Sequence, residues 1–544
     1  MPLTTAAALE SEFDVCVVGA GPAGLACAFD LHDAGLRVLL LEAGGERPVP
    51  GEPDLRAAEI VHPAFHDPVD IVAASALGGS THWWGGRSIP FDPADFRHWP
   101  LAYDDMLPWW DKAAAFLGSR SVSESAPPGA FAKLARFDAL RDECWGPELN
   151  MGKRWRARIR AASGPAIVTG ARVAELRFAD GRIASARVRI GGADHEARAG
   201  RFVLASGGLG ALKLLLLLQR DQPQLFGNPL GRGYMGHLTG TIATIAPRDP
   251  DDARAFAARP LGDGIYARRR LRPTPETIAR DRLVNIAFWF ENGDGADPAH
   301  GSATASARYL ATRLLRFGRG DGALGPHIAN VARAPLSAAS GLFSAAYLLA
   351  AARLTGRHPR ATTLTPARTG AWRLDYHAEQ PRHDDNRISL AEARDSIGMP
   401  KLKIDFRMQD EEIEAVVRAH EALDADLRAA GAGALHFAGD RDENIARVRA
   451  AARDGYHQLG GAAMGADGAS VVDTDLKARG VENLWVASGS VFPSGGQANP
   501  TLTIVALARR LAAHLARSDR GSSDPHAAQS EVASGSGRRI PSPG

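Results

Sequence analysis

Cysteine is scarce: three in 544 residues, none in a CxxC pair. That excludes a zinc ribbon, a thioredoxin-type redox pair and a disulfide scaffold. Cys16 falls in an apolar strand-like run and Cys27 in an apolar helical one, so both read as inert core residues. Such sparse use fits a reducing compartment. Net charge is nearly absent as well. The 64 basic and 62 acidic residues leave +2, which gives no global field for nucleic acid. Long membrane-spanning runs are lacking. The leucines at 214–218 are too few, and 334–352 is uncharged but dominated by Ala, Ser and Gly. The opening residues, MPLTTAAALESEFD, show neither a basic region nor a long apolar one, so no signal peptide is expected and the expected location is cytoplasmic. No HExxH spacing appears, and no metal is expected. The remainder is ordinary globular composition, 45% hydrophobic and 23% charged, at a length that suits two or three domains.

Residues 13–42 carry the strongest local signal. A β-branched run at 15–18 leads into Gly19-Ala20-Gly21-Pro22-Ala23-Gly24, then an apolar helix, Gly35 as its stop, and a second buried strand at 38–41. This is a parallel βαβ unit with a GxGxxG turn. Gly19 permits the tight turn, Gly21 lets backbone approach a pyrophosphate, and Gly24 lets helix and strand pack closely. The helix N-terminus offers free N–H groups to phosphate. Glu42, 18 residues beyond Gly24, is placed for ribose hydroxyls. The turn alone does not separate FAD from NAD.

Farther on, strand-rich stretches are expected at 172–178, 183–190, 201–205, 242–245 and 283–290, and an acid-starting amphipathic helix at 409–432. Residues 301–370 read as a helical, cationic insert. They hold nine arginines (Arg308, Arg313, Arg316, Arg319, Arg333, Arg353, Arg357, Arg360, Arg368) against one acid, Asp321. That insert suits a lid or a docking surface for an anionic membrane or an acidic partner. Residues 518–544 are Ser/Gly/Pro-rich and read as a disordered tail.

The segment VLLLEAGG at 38–45 resembles the glucose-methanol-choline (GMC) flavoprotein oxidoreductases. So do LGGS at 77–80, VLASGGLGALKLLLLL at 203–218, LGRGYMGH at 230–237 and, in order, YHQLGGAAMG at 456–465, SVVD at 470–473, 480–484 and 490–507. The resemblance covers about residues 13–517 and is poor over 245–375. It implies an α/β fold in which an FAD-binding Rossmann-like domain of GMC type, 11–238 and 450–517, is interleaved with an α+β substrate domain, 239–449. It also implies FAD as cofactor, held by Gly19, Gly21, Pro22, Ala23, Gly24, Glu42, Ala43, Gly78, Gly79, Ser80, Thr81, His82, Val173, Ala205, Gly489, Ser490, Asn499, Pro500 and Thr501.

The same resemblance places the active-site histidine at His457 and its polar partner at Asn499. A histidine suits the task, because hydride leaves an alkoxide far more readily than an alcohol, and a base must take the hydroxyl proton. The stretch Gly79-Ser80-Thr81-His82-Trp83 is similar to the STHW of pyranose oxidases, whose histidine is joined to FAD. Here His82 comes one residue early and Trp83 takes that place, so the flavin is expected to be non-covalent. Gly236 stands where the family's GRNxxDH has Asp. No role is assigned to His237, while His377, Glu379 and His383 are candidates for the pocket wall. Trp83 and Trp84 are candidates for a sugar-stacking wall or for flavin support.

The implied activity is oxidation of a CH–OH group in a sugar, polyol or aminosugar-type natural product. A sterol or aliphatic alcohol, and a non-redox lyase retaining FAD, are the alternatives. The electron acceptor, dioxygen or a carrier, is not specified by the motifs.

Overall fold

A computed structural model describes residues 6–49, 57–121, 124–292, 296–315, 324–355 and 370–522. Its main sheet has seven strands. Ala166–Val168, Val38–Leu41, Glu12–Val18 and Ala193–Leu204 lie parallel in that order, and the last continues antiparallel into Arg182–Ile190 and Arg172–Ala179. Leu484–Val486 adds in parallel to Ala193–Leu204, with Leu484 opposite Phe202. The chain therefore returns to its first sheet some 280 residues later, with Leu484 paired to Phe202. Both faces of the parallel strands are covered, so these strands are short apolar runs rather than alternating ones. Val15, Val17, Leu39, Leu40 and Val203 are fully or almost fully buried.

The helix Pro22–Asp33 opens on proline, whose missing N–H costs nothing in a first turn. Gly19 ahead of it sits at φ +102°, and a Cβ there would lie 2.7 Å from Ala205 O, so only glycine fits. A Cβ at Gly24 would lie 1.8 Å from Gly19 O, which is the close helix–strand approach the fingerprint requires.

A second sheet is antiparallel, in the order Ile286–Glu291, Trp372–Glu379, His237–Pro247, Gly433–Phe437. The helix Asp410–Ala430 packs behind it with its apolar face inward and closes at Gly431 in the left-handed region. Antiparallel strands and helix together make an α+β layer. Strand Asp142–Trp145 pairs with Ile265–Arg269 in a separate three-stranded sheet completed by Arg259–Gly262.

The insert forms helices Ala303–Leu315, Leu324–Arg333 and Pro335–Thr355. They share a small cluster, Ala303, Ala307 and Ala338, separate from the main core. Leu336, Phe343 and Tyr347 are exposed. Arg316, Arg319, Arg357, Arg360 and Arg368 lie outside the described residues. Among the described residues, no helix is long and apolar enough to cross a membrane. The C-terminal helix Thr501–Ser522 runs five residues into the stretch expected to be tail. Its apolar side packs on the fingerprint helix, and that packing overrides the local composition. The rest of the tail, 523–544, lies outside the described residues.

Candidate active site

The fingerprint turn, the end of Val38–Leu41 and the loop at 74–80 form one wall of a long cavity. The start of helix Gly207–Asp221, the loop 456–458 and the start of Thr501–Ser522 form the other. Three helix N-termini thus face one cavity, an arrangement that favours a multiply charged anion. Gly19, Gly21, Pro22, Ala23, Glu42, Ala43, Gly79, Ser80, Val173, Ala205, Gly489, Pro500 and Thr501 line it. Gly79, at φ +55°, approaches Gly21 so closely that a Cβ would meet its Cα at 2.9 Å. The LGGS loop is thereby laid on the fingerprint turn.

Glu42 is buried, and its two carboxylate oxygens accept from the backbone N–H of Ala20 at 2.8 Å and of Gly44 at 2.9 Å. It pins the fingerprint turn to the strand end while still lining the cavity. Ser206 Oγ, on the opposite wall, is a buried hydroxyl with no hydrogen-bond partner among the described residues. A glycine cradle, a carboxylate at the strand end and an orphaned hydroxyl between helix N-termini fit a dinucleotide such as FAD.

Other expected residues stand off the cavity wall. Gly24 packs helix on strand. Thr81 donates through Oγ1 to Gly78 O at 2.5 Å, so it and Gly78 shape the loop from behind. Ser490 is fully buried, with its hydroxyl on that of Ser488. The His82 ring bonds Leu77 O at 3.1 Å, and burial lowers its pKa. Trp84 donates to Leu149 O and Trp83 is exposed, so neither faces the cavity.

His457 lies on the cavity wall with its side chain 18% exposed. Its Nδ1–H donates to Asp454 Oδ2 at 3.2 Å, and its Nε2 accepts from Asn499 Nδ2 at 3.3 Å. Asn499 Oδ1 accepts from Arg270 Nη2 at 3.1 Å. Arg270 is itself fully buried and paired with Glu143, which also receives Arg268. Burial opposes the Glu143 charge, but Arg268, Arg270 and Arg87 overcome it and hold the carboxyl far below the usual carboxylate range. A continuous chain, Glu143–Arg270–Asn499–His457–Asp454, therefore fixes the ring. Sequence reading found two of its five members. Arg270, in the run RRR, and Glu143 carry no local signal, because only the pairing of Asp142–Trp145 with Ile265–Arg269 brings them together.

His237, to which no role was assigned, and His377, a candidate for the pocket wall, stand beside His457 with ring centroids 4.5 and 5.2 Å away. His237 Nε2–H donates to Gly496 O, and His377 Nδ1–H donates to Gln497 O. Burial, then the neighbouring His457, pushes His237 down to about 3; burial and both neighbouring imidazoles push His377 well below its usual value. Both rings are thus neutral. The ligand nitrogens of the three histidines lie within 4.8 Å of one another. However, His237 and His377 stack 4.1 Å apart at 20°. An imidazole binds a metal in its own plane at about 2.0–2.1 Å, so two stacked rings do not aim at one ion. Glu379 is buried nearby on the same strand, and His383 bonds Glu412 instead.

Residues 381–508 match the family model for GMC oxidoreductases, and residues 14–321 match that for FAD-dependent oxidoreductases. The chain is 24% identical to a 2-methyl-1,2-propanediol dehydrogenase of Mycolicibacterium austroafricanum over 95% of its own length and 96% of that protein. It is 32% identical to a 6'''-hydroxyparomomycin C oxidase of Streptomyces lividus over 24% of its length and 23% of that protein. The fold is similar to that of pyridoxine 4-oxidase from Mesorbium loti, with a TM-score of 0.51, 17% identity, and coverage of 92% of this chain and 98% of that one.

Proposed function

The chain belongs to the GMC family of FAD-dependent oxidoreductases, and from that premise we propose that it oxidises a secondary or primary hydroxyl of a polyol, sugar or aminosugar-type compound, with His457 as the base. The observation that carries this reading is the position of His457. It sits on the wall of the dinucleotide cavity, held between Asp454 and Asn499. Two relatives named for a diol and for an aminoglycoside support the substrate class, as does the polar surrounding of His457: His237, His377, Gln497 and Arg270.

When bound, FAD supplies the hydride acceptor. The chain's own residues prepare the substrate. With Nδ1–H committed to Asp454, the acceptor of His457 is Nε2; a bound hydroxyl replaces the Asn499 N–H at that lone pair and gives up its proton there. Asn499, its oxygen anchored on Arg270, directs its N–H toward the same point and holds the oxygen as negative charge develops. Hydride transfer further requires that the carbinol hydrogen face the cavity. The test is an anaerobic panel of polyols, aminosugars, sterols and aliphatic alcohols, read by bleaching of flavin absorbance. Bleaching by polyols or aminosugars is expected. Bleaching by none of the panel, or by sterols alone, contradicts the reading.

A further inference from the structure

We propose that Asp454 is the positioning residue for His457, and that position 236 is glycine so that the Asp454 carboxylate can occupy the space beside it. The inference rests on the reading of His457 as base, and it concerns how that base is held.

Asp454 is buried, with its backbone clamped between Phe65 and Asp67: its N–H donates to Phe65 O, and its carbonyl accepts from the Asp67 N–H. Oδ1 accepts from the N–H groups of Gly455 and Tyr456 at 2.6 and 2.8 Å. Oδ2 accepts from the His237 N–H at 2.7 Å and from the His457 ring. Burial opposes this charge, yet His457 and the N–H groups aimed at it keep the carboxyl far below the ordinary range. The result is a fixed anion on Nδ1 of His457, which decides the tautomer and leaves Nε2 as the acceptor.

Gly236 explains itself only through this carboxylate. Its φ lies outside the left-handed region, so conformation does not require glycine. A Cβ there would meet Asp454 Oδ2 at 2.9 Å, Cβ at 3.0 Å and Cγ at 3.2 Å. A side chain at 236 would crowd the carboxylate at 454 out of its observed place. The stretch that resembles GRNxxDH lacks its acid at this position. The carboxylate beside the His237 N–H comes instead from residue 454, immediately ahead of the loop that carries His457.

The test uses holoenzyme and single-turnover anaerobic reduction, with FAD content and thermal midpoint as controls. Asp454→Asn keeps an acceptor for the backbone but turns an N–H toward the ring, favouring the wrong tautomer. It should slow reduction at least about 10-fold with FAD retained. Asp454→Ala should be slow as well. Gly236→Asp in the Asp454→Ala background should recover part of the rate, because the carboxylate returns from the other side of the same space. Gly236→Asn in that background should not. Asp454→Asn reducing at the parent rate overturns the proposal, as does Gly236→Asn rescuing as well as Gly236→Asp, or Gly236→Asp gaining nothing. His457→Ala is measured in parallel. A fast His457→Ala enzyme refutes the base itself, whereas a slow one beside a fast Asp454→Asn refutes only the positioning role.

Discussion

Arg270 donates to Asn499 Oδ1 at 3.1 Å, and this contact decides which end of the amide faces His457. With its oxygen taken by a guanidinium, Asn499 has only N–H to offer the ring and the substrate oxygen. The buried pair Arg270–Glu143 is costly to build and is weak support for stability on its own. Here it has a geometric use.

Arg270→Lys tests that use. Lysine keeps a positive charge beside Glu143 but not the planar fork. FAD binding should persist, and anaerobic reduction should slow by about 10–100-fold, the equivalent of about 1.5–3 kcal/mol for one charge-assisted hydrogen bond. A rate equal to the parent enzyme would show that Asn499 orients itself.

Glu42 has two tasks, anchoring the N–H groups of Ala20 and Gly44 and lining the cavity. Glu42→Ala should weaken FAD retention by at least the about 1–3 kcal/mol of stranded donors. Whatever holoenzyme remains should turn over normally, because the reacting end lies with His457. Equilibrium FAD titration against apoprotein checks the first point and specific activity per flavin the second.

The flavin should be free of a covalent link at His82, whose ring is occupied with Leu77 O and stands off the cavity wall. Acid precipitation should leave yellow colour in the supernatant. Colour retained in the pellet would reverse this.

Stability should fall on the acid side of neutrality. Burial pushes the His420 ring down to about 4, between Phe288 and Tyr376. The unfolded chain, with a histidine pKa of about 6.5, takes up that proton first. The ring's contribution is therefore complete above about 6.5 and is lost as pH falls from there toward 4, at roughly 1.4 kcal/mol per pH unit for each such ring. His237, at about 3, adds to the same slope. His420→Asn should flatten the decline of the thermal midpoint between pH 7 and 4.5. An unchanged slope would mean that other groups govern it.

Much of this site was legible in the sequence where its parts are contiguous. The turn at 19–24 and Glu42 form one βαβ unit, and its spacing is set by local geometry alone. His457 and Asn499 were legible only through a family resemblance, since neither has a local signature beyond a glycine-rich loop and an Asn-Pro-Thr. What holds them was not legible. Arg270, Glu143 and Asp454 reach the site through strand pairing and loop clamping between segments up to about 356 positions apart, as Asn499 and Glu143 are. The miscounted tail has the same cause: residues 518–522 look disordered by composition, but they continue a helix whose preceding turns are packed on the fingerprint helix.

The central claim, that His457 takes the hydroxyl proton, is tested most directly by stopped-flow reduction of His457→Ala holoenzyme with an accepted alcohol under nitrogen. Reduction should slow by about 10²–10⁴-fold with FAD content unchanged, and part of the rate should return at high pH, where alkoxide forms unaided. A His457→Ala enzyme that bleaches its flavin at nearly the parent rate would contradict the account.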